Sequence, residues 1–289
     1  MDEAFIVCRL LHFAAAMTVF GVGVFQSALA PPDLRRSLAR PLWRLVAAAS
    51  LILAVTTVGW PMLEAGEVGE GWADVYDPQI VMSVLLDTDF GRVWCWRLGL
   101  AAAVIVLAFV DRRPSRPMLA VLAGLLLGSL GLIGHAAMQS GLIGWLHSGN
   151  HALHLLAAGF WFGSLVPLLF CLRDRSLSKD ALAAVRRFSA LGHVAVAAVI
   201  ITGVVDTWLV LGKLPIDLSS PYQALLATKI ALVAVMVAAA LANRYVLLPP
   251  VLARSRASSP MLRYSAMGEV VLGFGVLAVV SALGTLEPV

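Results

Sequence analysis

Four of the six histidines in this chain fall in one stretch, "GHAAMQSGLIGWLHSGNHALHLLAAGFWFG" (residues 134–163): His135, His147, His151 and His154. The other two are His12 and His193. Cys8 precedes His12 by one helical turn and Met138 follows His135 at i+3, spacings that bring side chains together on a helix. Imidazole, thiolate and thioether as a set suit copper, Cu(I) above all, because soft ligands select it. Met62, Met82 and Cys95 are further soft groups. His147, His151 and His154 share one arc only if their helix begins early. Gly149 and Asn150 instead place the expected start near residue 150, with Ser148 or Asn150 as N-cap and His147 in the preceding loop.

Plainer and rival readings stand beside a metal site. Imidazole is amphipathic, and histidines at a membrane surface often only anchor helix ends. Cys8 and Cys95 then serve as packing residues and Met138 as filler. Two neutral histidines on facing helices can also ligate haem, and His12 with His154, or either with His135, would suffice for a b-type cytochrome. Other charged groups fall inside apolar runs. Asp206 and Lys229 form an expected pair, with snorkelling as the alternative for Lys229 and for Arg97. Glu269 is either hydrogen-bonded within the bundle or part of an ion or proton path. No HExxH, Walker A, GxSxG or CxxC motif is present, so zincin, phosphate-loop and serine-hydrolase chemistry have no support and no enzyme activity is expected. Three cysteines do not make a disulfide framework.

The elements that must position these groups follow from composition. Hydrophobic residues make up 60% of 289 residues, charged residues 13%, and mean hydropathy is +0.90. The apolar residues form runs of about 20, the length that spans a bilayer. The expected fold is an all-α integral membrane protein of eight helices, at about 4–30, 42–62, 93–110, 118–140, 150–171, 187–211, 223–247 and 263–285. The acidic start "MDEAFIV" does not resemble a cleaved signal peptide, which makes the first run a helix of the mature protein. Alternate loops, "PPDLRRSLARPLWR", "DRRPSRP", "RDRSLSKDALAAVRR" and "NRYVLLPPVLARSRASSPMLR", carry most of the 21 Lys and Arg, whereas "EAGEVGEGWADVYDP" has none. The positive-inside rule then puts the basic loops in the cytoplasm and both termini on the outer side of the membrane. The sequence pI of about 9.3 reflects this topology and not nucleic-acid binding. His12, His135, His147, His151 and His154 all fall in the outer third of the membrane or at its surface, and His193 in the inner half.

The chain also aligns with itself. "HFAAAMTVFG" (12–21) matches "HLLAAGFWFG" (154–163), and "WRLGLAAAVIVLAFVDRR" matches "TKIALVAVMVAAALANRY". This implies two four-helix halves of the same orientation, about 1–145 and 146–289, as in transporters with parallel repeats. His12 pairs with His154, and Arg97 with Lys229.

"HLLAAGFWFGSLVPL", "RRFSALGHVAVAAVIITG", "LLATKIALVAVMVAAALANRY", the Glu-bearing "MGEVVLGFGVLAVV" and the opening "RLLHFAAAMTVFGVGVF" resemble the bacterial copper resistance protein D (CopD) family almost end to end. The resemblance implies an inner-membrane protein that moves copper from periplasm to cytoplasm, working with a small periplasmic CopC-like carrier. No CopC-like domain is present in this sequence, so that carrier is expected to be a separate protein. Carried over by position, His12, His135, His151 and His154 would handle the metal, with Trp161 and Gly163 as packing elements. A non-transporting copper sensor or docking protein remains an alternative.

Overall fold

A computed structural model describes residues 1–110, 117–134, 138–173, 177–213, 215, 217–253 and 260–288. Among the described residues there is no strand. The helices are α1 (Asp2–Val24, prolonged by a π-helical turn at Phe25–Leu29), α2 (Pro32–Val68), α3 (Pro78–Asp87), α4 (Asp89–Val110), α5 (Pro117–Gly128, prolonged by a 3-10 turn at Ser129–Leu132) and α6 (Gly141–Cys171). They continue with α7 (Lys179–Leu211), α8 (Pro221–Ala242), a π-helical turn at Asn243–Leu247, α9 (Leu248–Ala253) and α10 (Pro260–Leu283). By length and composition seven of these can cross a membrane: α1, α2, α4, α6, α7, α8 together with α9, and α10. In hydrocarbon a spanning segment must pair its own backbone groups, which is why the apolar runs fold as helices.

Two expectations need correction. The fourth run ends early: Pro117–Leu132 is an apolar helix shorter than the other seven. It tightens at Ser129 and gives way to Gly134, whose φ of +68° ends regular structure. Among the described residues, seven of the eight expected runs are thus represented by helices of spanning length and the fourth by a shorter one. The fifth run starts nine residues sooner than expected, at Gly141, with Ser140 as N-cap. Glycines at 144 and 149 read as loop formers, yet inside an apolar bundle tertiary packing overrides their weak helix propensity.

The two most buried spans, α1 and α6, cross at the centre. Gly21 and Gly163 meet there backbone to backbone, and a Cβ on Gly21 would collide with the main chain of Gly163. The seams on either side differ. In the first half α2 packs along α4. Pro61 lacks the N–H that would bond the carbonyl of Thr57, one turn back, and Trp94 of α4 supplies it instead, its indole N–H donating to Thr57 O at 2.7 Å. Trp43 Nε1 closes the other end of this seam on Ala108 O at 3.0 Å. In the second half α7 packs on α6 and α8 on α10, but α7 and α8 barely touch.

Candidate metal site

Because α6 begins at Gly141, His147, His151 and His154 stand at i, i+4 and i+7 on one face. All three lean toward Asp206 and Thr202 of α7. His151 Nδ1 lies 2.8 Å from Asp206 Oδ2, and His147 Nε2 lies 3.7 Å from Asp206 Oδ1. Asn150 Nδ2 donates to the same Oδ1 at 2.5 Å and to Thr202 O at 2.9 Å. His154 Nδ1 is 2.9 Å from Thr202 Oγ1, and His147 Nδ1 is 2.9 Å from Gln139 Oε1. The His151 and His154 rings stack, with centroids 6.1 Å apart. His147 and His154 are buried, whereas the His151 side chain keeps 33% of its surface.

The partners fix the tautomers. Thr202 gives its hydroxyl hydrogen to Ala198 O at 2.5 Å, so its oxygen can only accept from His154, and His154 carries its proton on Nδ1. Asp206 and Gln139 Oε1 likewise accept from the Nδ1–H of His151 and His147. In a neutral ring each Nε2 is then a lone pair, and that of His147 lies toward Asp206 Oδ1. For His151 and His154 no protein donor meets it among the described residues. Histidines that bind metals are held in this way, one ring N–H anchored on oxygen and the other nitrogen directed at the ion.

The matching position in the first half is closed. Thr56 Oγ1 donates to Ile52 O at 2.9 Å and stands 3.0 Å from His12 Nδ1, the same threonine-on-histidine pairing on α1 and α2. But His12 Nε2 accepts from Arg97 at 2.6 Å. The guanidinium is fully buried. It also donates to Leu126 O at 2.8 Å and Ser129 Oγ at 2.6 Å, and lies 4.7 Å from the Trp94 ring. Trp60 and Trp94 pack against His12 at 5.4 and 5.9 Å. A tethered cation thus sits where the second half offers an open nitrogen.

The remaining sequence-predicted residues are distributed as follows. His135 lies outside the described residues. His147, expected in a loop, is helical and buried. Each of His12 and His154 bonds within its own half. Cys8 Sγ points to Thr56 O at 3.7 Å, beside His12. Met138 is 66% exposed, outside the group. Asp206 bonds to the imidazoles and Asn150 and makes no ion pair with Lys229, which lies within electrostatic range of both Asp206 and His154. Glu269 is buried and accepts from Trp161 Nε1 at 3.1 Å and Asn243 Nδ2 at 2.6 Å, so it is held inside the bundle. Among the described residues no three His, Cys, Asp or Glu groups converge on a single point. Thr56, Thr202, Asn150 and Gln139 were missed. Extending the internal alignment from "HFAAAMTVFG" to "TTVGW" (56–60) against "TGVVD" (202–206) would have found both threonines and shown Asp206 standing where the first half has Trp60.

The chain was compared with known proteins. Residues 1–145 match the family model for a copper resistance protein D-like N-terminal domain, and residues 182–283 match the model for copper resistance protein D. It is 35% identical to "Inner membrane protein YebZ" of Escherichia coli (strain K12), covering 98% of each chain. It is 32% identical to "Copper resistance protein D" of Pseudomonas syringae pv. tomato, covering 99% of this chain and 97% of the relative. No solved structure matches it. With soft-metal donors set on a helical membrane scaffold and both family models matching in order along its length, this chain belongs to the copper resistance protein D family.

Proposed function

We propose that this chain binds copper, as Cu(I), at the outer side of the second half and passes it inward across the bacterial inner membrane. The observation that carries this reading is the set of three imidazoles on one face of α6, each with its Nδ1–H anchored on oxygen. A bare ion in hydrocarbon is far too unfavourable, so ligands must replace water at the depth where water is lost. Neutral imidazole does this without adding charge. His151, the most exposed of the three, receives the ion from the periplasm or from a CopC-like carrier. His154, one turn deeper, takes it next, with His147 and His135 completing the coordination and Cys8 and Met138 as softer auxiliaries. His12 joins only if Arg97 leaves its Nε2. With both termini periplasmic, Asp206, Lys229 and Glu269 mark the onward path of the ion or of a compensating proton. Glu269 is reached through Trp161, two turns inward from His154 on α6.

The test is Cu(I) affinity of the purified protein against a competing chelator. His151→Ala and His154→Ala should each weaken binding at least about tenfold, or roughly 1.4 kcal/mol. The same preparations, loaded into liposomes, distinguish transport from sensing. If the double variant His151→Ala/His154→Ala binds Cu(I) as tightly as the parent, the site is wrong and the histidines are interfacial anchors.

A further inference from the structure

The seam left open between α7 and α8 encloses a cavity of about 330 Å³ on the inner side of Trp161. On α7 its lining runs from Val185 to Ile200, about 22 Å at 1.5 Å per residue, so the cavity is a long slot and not a round pocket. Ile200 and Leu241 are also exposed on the outer surfaces of the two helices, and the slot opens sideways toward the bilayer. Its accessible wall is almost wholly apolar. The polar side chains along it are turned to one another or covered. Glu269 accepts from Trp161 Nε1 and Asn243 Nδ2, and His193 Nε2 and Asn243 Oδ1 are sealed from the space by their neighbours. Protein interiors rarely leave a void larger than a water molecule, and apolar cavities do not hold water. Hydrocarbon is what such walls accept.

The basic end of the seam has the opposite character. Arg244 stands in the π-helical turn Asn243–Leu247 and reaches across to α7, donating from Nη1 to the cavity-lining Ser189 Oγ at 3.1 Å. Its remaining N–H groups meet no acceptor among the described residues. Arg186 and Arg263 are exposed and follow directly on Val185 and Leu262, which line the cavity. Among the described residues none of these three arginines pairs with a carboxylate. Tyr245 and Tyr264, their neighbours in sequence, are exposed, as aromatic residues are where helices meet the headgroups. Three separate segments thus bring a cation to one end of an apolar slot that opens to lipid.

We propose that this seam is a specific site for an anionic phospholipid, with one acyl chain lying in the slot and the phosphate held by Arg244 at its mouth. Arg186 and Arg263 add to the local positive field. A guanidinium presents a planar fork that matches phosphate, and basic pockets between membrane helices on the cytoplasmic side hold acidic headgroups in this way. A zwitterionic lipid offers the same chains, but its headgroup carries its own cation and gains less from the arginines. The acyl chain fills the gap that α7 and α8 leave between them. The proposal is independent of the copper site.

The experiment is native mass spectrometry of the full chain, stripped of lipid in detergent and titrated with phosphatidylglycerol or phosphatidylcholine of identical oleoyl chains. One phosphatidylglycerol should be retained saturably, at least about tenfold more tightly than phosphatidylcholine. Arg244→Gln keeps most of the reach and loses the charge, and should weaken phosphatidylglycerol at least fivefold while leaving phosphatidylcholine within twofold. Gly192 lines the slot, and a Cβ there meets nothing within 4 Å. Gly192→Leu therefore fills the space without backbone strain and should weaken phosphatidylglycerol at least fivefold. Glycerol phosphate, a headgroup without chains, should not displace the lipid. Equal affinity of the parent protein for the two lipids would overturn the proposal without recourse to any variant. So would an indifferent Arg244→Gln or Gly192→Leu, displacement by glycerol phosphate, or a dimer that Gly192→Leu dissociates, which would put a second copy of the chain in the seam.

Discussion

Replacing Lys229 by Arg tests the idea that a tethered cation is what closes the histidine nitrogen in the first half. The internal alignment sets Lys229 of α8 opposite Arg97 of α4, and Arg97 shows what a guanidinium does at that position. It donates to His12 Nε2 at 2.6 Å, while among the described residues no donor meets the equivalent nitrogen of His154. In Lys229→Arg the new guanidinium should reach His154 Nε2 in the same manner, with Asp206 nearby to hold it. A hydrogen bond to a charged group contributes about 1.5–3 kcal/mol, and an incoming ion must break it. At 1.4 kcal/mol per decade that is a loss of roughly 10- to 100-fold in affinity. The assay is a Cu(I) competition titration of the parent, Lys229→Arg and Lys229→Met in one detergent. Lys229→Met removes the cation and should bind at least as tightly as the parent. If Lys229→Arg binds like the parent while the parent itself binds Cu(I), the equivalence of the halves is refuted and the copper site is not.

Other outcomes follow from the same geometry. Asp206→Asn weakens the anchor of His151 and removes the charge facing His147, and should lower Cu(I) affinity about 10- to 100-fold, the usual effect of losing a supporting partner behind a ligand, with melting temperature little changed. Gly163→Ala should lower the melting temperature in detergent by several degrees or abolish a monodisperse protein, because its Cβ would strike the Met17 carbonyl; an unchanged melting curve would mean that α1 and α6 do not cross there. Reporter fusions at Val289 should behave as exported and fusions at Arg254–Arg256 as cytoplasmic, and the reverse pattern would invert the membrane orientation. Purified protein reduced with dithionite should show no α-band from a haem ligated by His12, since its Nε2 is occupied by Arg97; a reducible Soret and α-band that survive His12→Ala would restore the haem reading through His154 and His135.

The spanning helices were legible because a run of apolar side chains has few other ways to satisfy its backbone in lipid. The limits of that logic show at residues 141–149. "GLIGWLHSG" has the glycine content of a loop, and only packing against α7 makes it helix. That error in turn hid the common arc of His147, His151 and His154. Residue counting put His147, His151 and His154 close together along the chain, and the structure brings them to one side of α6. Direction around each helix was not legible. The weak repeat alignment suggested that His12 faces His154, whereas each turns to a threonine that lies 44 or 48 residues along in its own half. Nor did hydropathy distinguish a snorkelling Arg97 from one sealed among Trp94, His12 and the carbonyl of Leu126, because that outcome depends on contacts from two other helices, α1 and α5.

Arg97 bears on how the protein is made. An arginine within a membrane segment disfavours insertion, by roughly 2.5–3.5 kcal/mol at the centre, and among the described residues no carboxylate pairs with this one. Its acceptors are His12 of α1, synthesised earlier, and Leu126 and Ser129, synthesised later. During biogenesis α4 thus enters the bilayer with only one of its acceptors already in place. It settles once the chain has been extended through Ser129, so that α1, α4 and α5 assemble around the guanidinium as one unit.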